Sequence, residues 1–265
     1  MKVLLFEVKS LFYSYKAPIA YQVKASNMLP PPSALLGAVY RNYVRETSSS
    51  YSKDSLSEFL RSVAYAGFAV LPVDDRGFVS FRKFVVLLKH WRLEKDEEEP
   101  RPDAMLREYV YMHGRLVGVI AYNGLNNETL TKVVETIEYL GNSESLIGIR
   151  ALESGLSVKS AEECGDGYMT QMISSSVNNL PRHGVIEQCG RVPRSPWGGR
   201  ETADVCYVWN PLEPAGKDLY RPIRFGDIRT ELLEDLRKKV ACVESVALNA
   251  RLVFTSAGFE CLKRG

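Results

Sequence analysis

Residues 27 to 41 read NMLPPPSALLGAVYR. Three consecutive prolines hold Leu29, Pro30 and Pro31 in extended backbone, because each proline ring crowds the residue before it out of the helical region. Pro32 then carries its fixed φ into a helix expected from about Ser33 to Arg45, with Ser33 as N-cap. Leu35, Leu36, Val39, Tyr40, Tyr43 and Val44 gather on one face of that helix, so it has a side to bury. Gly37 inside it costs roughly 1 kcal/mol relative to alanine and points to close backbone approach there. Two readings of the stretch stand side by side. One is a stiff packing turn; the other is a rigid helix N-terminus whose N–H groups near Ala34 to Leu36 face a phosphate.

Upstream, KVLLFEVKS (2 to 10) is a short apolar run of strand formers, followed by an aromatic, lysine-bearing loop. Downstream, the serine-rich ETSSSYSKDS leads through a helical SLSEFLRSV to a second strand, AYAGFAVLPV (64 to 73). GFVSFRKFVVLLKHW and AMLREYVYMH bracket the acidic run EKDEEE and predict a long hairpin inserted over 74 to 113. RLVGVIAYNG (115 to 124) is a third core strand. A helix is expected over 127 to 141, with Asn127 as cap, apolar spacing from Leu130 to Leu140 and Gly141 as stop. ESLIGIRALESGLSVKSA supplies the fourth strand. Strand, helix, strand, strand, helix, strand is the ferredoxin-like order, so the expected class is α+β, with this core over residues 1 to 165. Residues 166 to 265 carry the turn signals NLPRHG, SPWGGR and NPLEPAG and are expected to be a mostly β appendage, closing in a hairpin within ALNARLVFTSAGFECLK.

A chain of 265 residues can bury one large core, and no apolar run reaches the roughly 18 residues of a membrane span, so a cytoplasmic protein is expected. The five cysteines are odd in number, widely spaced and without a C-x-x-C pair, a pattern expected of plain thiols rather than of a disulfide framework or a zinc site. Net charge is only +2, but its distribution is uneven. Residues 1 to 45 carry six Lys or Arg against Glu7 alone; Arg76 to Arg92 has five and no acid; Arg182 to Arg200 has four arginines against Glu187. Basic clusters inside a nearly neutral chain point to a local polyanion site.

The loop after the first strand interleaves Phe12, Tyr13, Tyr15 and Tyr21 with Lys9, Lys16 and Lys24. Flat rings for bases and ammonium groups for phosphates are the ingredients of single-stranded nucleic-acid binding. The hairpin repeats the recipe with Arg82, Lys83, Lys89 and Arg92. Enzyme signatures are sparse: Gly216-Lys217 lacks the upstream glycine of a P-loop, G-x-S-x-G and G-x-G-x-x-G are missing, and His90, His113 and His183 are too scattered for a metal site. Lys89-His90 could supply a base and a cation to a metal-independent ribonuclease, although adjacent side chains in a strand point to opposite faces.

The first strand, the aromatic and basic loop, LPPPSALLG opening a helix, and YLGNSESLIGI joining the second helix to a strand resemble the CRISPR-associated Cas family five, a RAMP group of type I Cascade complexes. The likeness covers about residues 1 to 160, and RVPRSPWGGRETADVCYVWNPLEP is similar to archaeal, type I-A-like members. The resemblance implies a ferredoxin-like core with a projecting thumb, the 74 to 113 hairpin, that binds the 5′ handle of the crRNA. It further implies that the subunit joins the Cas family seven backbone to the Cascade large subunit. Gly141 to Ser145 falls where the family has a glycine-rich loop, here with one glycine. The expected RNA contacts are Lys9, Tyr13, Tyr15, Lys16, Tyr21, Lys24, Ser33, Gly37, Arg41, Arg82, Lys83, Lys89, Arg92, Gly141 and Ser143. No catalytic residue, metal, cofactor or membrane is expected. The alternative is an endoribonuclease that matures pre-crRNA.

Overall fold

The computed structural model describes residues 1–17, 23–92, 101–141, 145–179, 183–188 and 207–255. β1 (Lys2–Lys9) is buried from Val3 to Val8, as its near-continuous apolar run demands. It is followed by α1 (Pro32–Glu46), α2 (Lys53–Ser62), β2 (Val63–Leu71), β3 (Val79–Arg92), β4 (Arg101–His113), β5 (Arg115–Tyr122), α3 (Asn127–Glu135) and β6 (Gly148–Ser157). The four strands β2, β5, β1 and β6 form one antiparallel sheet in that spatial order. α1 lies against α3 and β2, and α3 against β6. Leu35, Leu36, Val39 and Tyr40 of α1 and Leu130, Val133 and Val134 of α3 bury their apolar stripes in the core beneath. Close packing leaves no slack at Gly118, where any Cβ would land inside the Phe6 ring.

α1 and α3 differ from expectation at their ends. The N-cap of α1 is Pro31, with φ −67° and ψ 144° and no side-chain cap bond, and Pro32 opens the helix; Ser33 therefore lies within the first turn and does not cap it. The N–H groups of Ala34 and Leu35 already donate to the Pro31 carbonyl at 2.9 and 3.4 Å, which removes them from the proposed phosphate-facing set. α3 is capped by Asn126, whose side chain accepts from the Thr129 N–H, and ends at Glu135, not at Gly141. Ile137 and Leu140 are buried all the same, because a loop can carry apolar side chains into the core as well as a helix can. Gly141 adopts φ +77°, the left-handed region that glycine enters without strain.

β3 and β4 pair in unbroken register from Ser80–His113 to Arg92–Arg101, the long hairpin expected over 74 to 113. β7 (Leu212–Gly216) and β8 (Leu219–Pro222) join its base, where Leu219 pairs Ser80 and Tyr220 pairs Val79. Val23–Lys24 adds a parallel strand on the β4 side. β9 (Val240–Ser245) and β10 (Ala250–Thr255) form the closing antiparallel hairpin. The expected hairpin within 247 to 263 is thus shifted: β10 is its second arm, and its first arm precedes the turn.

The part after residue 165 packs onto the central sheet through Val208, Leu212, Val243, Leu252 and Phe254 and also builds a cluster of its own around Trp209, Met169, Met172, Phe225 and Ile228. Gln171 ties the two. Its side chain accepts from the Phe68 N–H of β2 (3.2 Å) and donates to the Pro30 carbonyl (3.3 Å) and to Asn210 Oδ1 (2.6 Å). Cys164 and Cys242 are joined by a disulfide with Cα atoms 5.6 Å apart, which corrects the expectation of plain thiols.

Candidate nucleic-acid interface

The hairpin presents a mixed aromatic and basic face. Residues directly opposite in an antiparallel pair share a face, and Arg82 opposes Tyr111 while Phe84 opposes Tyr109. Phe84 stacks on Tyr109 with centroids 5.9 Å apart, and Phe12 meets both rings edge-on at 6.0 and 5.5 Å. Phe12, Phe84 and Tyr111 stay 48, 41 and 46% exposed, and Arg82 is exposed beside them. Strand alternation puts Lys83 and Lys89 on the opposite face. Lys83 is engaged there, with Nζ 2.8 Å from Glu108 and donating to the Ser26 carbonyl at 2.8 Å; Lys89 is exposed.

Where β8 leaves β3, a groove of about 760 Å³ opens, lined by Met28, Arg82, Lys83, Lys217, Asp218 and Tyr220 among others. Lys217 comes from the β7–β8 turn, which Asp218 closes with φ 59°. Sequence reasoning weighed Lys217 only against the P-loop pattern and missed it. The signal that could have found it is the turn AGKD between two short strands, but nothing local says that this turn abuts the hairpin.

Tyr13 and Tyr15 lie elsewhere than stacking platforms must. Both are 3% exposed, their ring centroids are 4.7 Å apart, and Tyr13 donates its hydroxyl to the Met28 carbonyl. Their rings belong to the core, so among the described residues the aromatic that this loop shows to solvent is Phe12. The proline segment is anchored by the same means: Leu29 is fully buried, Met28 is held by Tyr13 and Pro30 by Gln171. Packing accounts for its stiffness.

The remaining expected contacts are spread over the molecule. Lys9 is exposed beside Glu7, and Lys16 pairs through its backbone with Ser26. Lys24, half-buried, pairs with Arg107 of β4, and Arg92 pairs with Arg101 at the far end of the hairpin. Ser33 is half-buried, whereas Gly37 is exposed on α1 with nothing within 4 Å of a Cβ placed there. The Arg41 guanidinium sits 4.2 Å over the Tyr139 ring. A Cβ at Gly141 would lie 3.7 Å from Ala34, so this loop abuts the start of α1, and Ser145 Oγ donates to the Ser14 carbonyl at 2.8 Å. Tyr21, Ser143, the EKDEEE run and Arg182, Arg191, Arg194 and Arg200 lie outside the described residues. Among the described residues no group of three or more metal-ligating side chains comes together, and no helix is long and apolar enough to cross a membrane.

At the end of β1, Glu7 gathers Arg115 at 3.0 Å, Arg150 at 3.1 Å and Lys9 at 3.9 Å. Burial alone would push its carboxyl up, but the Arg115 hydrogen bond and the three cations hold it below the ordinary carboxylate value.

An α+β protein of several sheets with a basic, aromatic hairpin face is the class that fold and site define. No family model matches the chain. It is similar to the CRISPR-associated protein Cas5 of Methanocaldococcus jannaschii, 30% identical over 154 residues, which are 54% of this chain and 60% of that relative. The resemblance to Cas family five is thus met in a Cas5 protein, of whose length this chain spans about 60%. Among solved structures, a CRISPR protein from Archaeoglobus fulgidus superposes with a TM-score of 0.46 at 14% identity, covering 96% of this chain and 100% of that one. A chain of a CRISPR RNA-guided surveillance complex also gives a TM-score of 0.46, at 10% identity, covering 84% of this chain and 91% of that one.

Proposed function

We propose that this chain is a Cas5-type subunit of a CRISPR effector complex that binds and caps the 5′ handle of the crRNA without cutting it. In this reading the central sheet is a ferredoxin-like core, supported by its strand order β2-β5-β1-β6, and β3–β4 is the thumb. The subunit joins a Cas family seven backbone to the large subunit. The observation that carries the RNA reading is the exposed set Phe12, Phe84 and Tyr111 with Arg82 on one face of the hairpin. Each ring offers a stacking surface indifferent to base identity, and the guanidinium and the groove cations supply the phosphate charge.

The test is titration of handle RNA and of an unrelated RNA of equal length across a range of salt. Phe84→Ala should lose about 1–3 kcal/mol of binding. Arg82→Ala should lower the logarithmic salt slope by about 0.7, the value for one single-strand phosphate. Equal affinity for the two RNAs would count against a handle-specific role. A repeat-containing precursor incubated with the protein in EDTA should stay intact; specific cleavage lost in His90→Ala would replace the cap with a nuclease.

A further inference from the structure

The two edges of the β3–β4 hairpin differ. On the β4 side, Val23–Lys24 pairs with Leu106 and Arg107, and Val110 exchanges both backbone hydrogen bonds with Tyr13, at 2.8 and 3.0 Å. Val110 lies opposite Lys83, so that pair does not bond across the hairpin and Lys83 directs its N–H and C=O outward from β3. The base of β3 agrees: the Phe81 N–H donates outward to the Asp218 carbonyl at 3.0 Å. The β3–β4 register is unbroken, so the same direction recurs at every second residue, at Val85, Leu87 and Lys89. β8 reaches only Val79 and Ser80, with the Asp218 bond beyond them, and among the described residues no strand pairs the edge from Lys83 to Lys89.

The side chains along this open edge are apolar in the middle. Val85 and Leu87 are 52 and 51% exposed, and Leu106, directly opposite Leu87 on the same face, is 39% exposed. Lys83 is engaged with Glu108, whereas Lys89 stands exposed toward the tip. Aliphatic side chains give a base no flat ring to stack on, and these lie on the face opposite Phe84 and Tyr111, so the patch does not suit RNA. It does not suit a second copy of this chain either. Antiparallel pairing of two such edges over the same residues would set Lys83 against Lys89 at both ends. Open backbone groups beside two apolar side chains and a cation match an added strand that carries apolar residues and an acid at alternate positions.

We propose that the outer edge of β3, from Lys83 to Lys89, is a docking site for an extended acidic segment of a partner protein. The segment adds as an antiparallel strand, with apolar residues opposite Val85 and Leu87 and an acid opposite Lys89. It stops short of Phe81, whose outward N–H Asp218 already occupies. This goes beyond the RNA reading and does not rest on it, since it uses the edge and the face of the hairpin that Phe84 and Tyr111 do not.

The experiment titrates the full chain with a synthetic peptide, capped at both ends and built on Glu-x-Val-x-Val with threonine at x. The peptide should bind and should slow hydrogen exchange at the Val85 and Leu87 amides. N-methylation of the peptide amides that face β3 keeps its side chains and should weaken binding roughly tenfold, the loss of about two main-chain hydrogen bonds. Lys89→Glu should invert the charge preference, so that a peptide with lysine in place of the glutamate binds better. Val85→Pro removes an outward N–H without removing a β3–β4 bond, and should lose the peptide while keeping handle RNA. No binding at millimolar peptide would mean that the lysines only guard the edge, and it overturns the proposal. So does an N-methylated peptide that binds equally well, a charge preference unchanged in Lys89→Glu, or protection of the two amides by single-stranded RNA in place of the peptide. Failure to bind handle RNA, with the peptide still bound, would sink the RNA reading and leave the docking edge standing.

Discussion

Glu7 is the lone acid among the first 45 residues, and its three cations come from three different strands: Lys9 from β1, Arg115 from β5 and Arg150 from β6. Because its folded pKa lies below the ordinary value of 4.5, the stabilisation is present above that value and is lost as pH falls through the folded pKa. Glu7→Gln should lose about 1–3 kcal/mol at neutral pH, the worth of hydrogen bonds to charged groups. The deficit should shrink on acidification below about pH 4.5, because glutamine does not titrate. Urea denaturation of both proteins at neutral and acid pH checks this; an equal deficit at both would mean that packing, not charge, is at stake. The neighbouring aromatics show how far a residue type can be read alone. Phe12, Tyr13 and Tyr15 look equivalent in sequence, yet two are core and one is surface. Only the third dimension separates them, since a ring packs or stacks according to what covers it.

At the scale of elements, α1 carries its own test. Gly37 is exposed in mid-helix and a methyl group there meets nothing, so Gly37→Ala should stabilise the protein by roughly 1 kcal/mol and raise its melting temperature by about 2–4 °C. Thermal unfolding reads this directly. A loss of stability would show that the backbone there is needed in a form alanine cannot adopt. A rise in stability together with weaker handle RNA binding is the signature of RNA approaching the helix at that point. The helices were legible as elements because their apolar stripes repeat at helical spacing. Their ends were not. Ser33 is a good cap by type, but Pro31 and Pro32 settle the geometry first. Ile137 and Leu140 continue the period of α3 past the residue where the helix stops, because burial constrains a side chain without dictating the backbone that delivers it. The β3–β4 hairpin was legible through its two strand-forming runs, but the β8 partner at its base lies more than a hundred residues away in sequence.

For the whole molecule, the disulfide closes a loop between Cys164 and Cys242, 78 residues apart. By restricting the unfolded chain it should contribute about 2–4 kcal/mol. Thermal unfolding with and without reductant, and of the Cys164→Ser, Cys242→Ser double variant, checks that contribution; unchanged melting would mean that the cluster around Trp209 holds this part unaided. Counting and spacing cysteines could not find the pair, since the backbone pairing of Lys159 with Cys242 of β9, not sequence spacing, brings the turn that ends at Cys164 against β9.

The order of elements was determined by the sequence itself, because proline geometry and apolar periodicity are local properties that each segment carries wherever it ends up. So was the concentration of basic and aromatic residues in the first loop and the hairpin. The tertiary structure alone decided which of them reach solvent, how Lys217 joins Arg82 in one groove, how Gln171 fastens the proline segment to the C-terminal strands, and why the Tyr13 and Tyr15 rings pack in the core. Those outcomes depend on contacts between residues distant in the chain, and no local preference encodes which distant surfaces will meet.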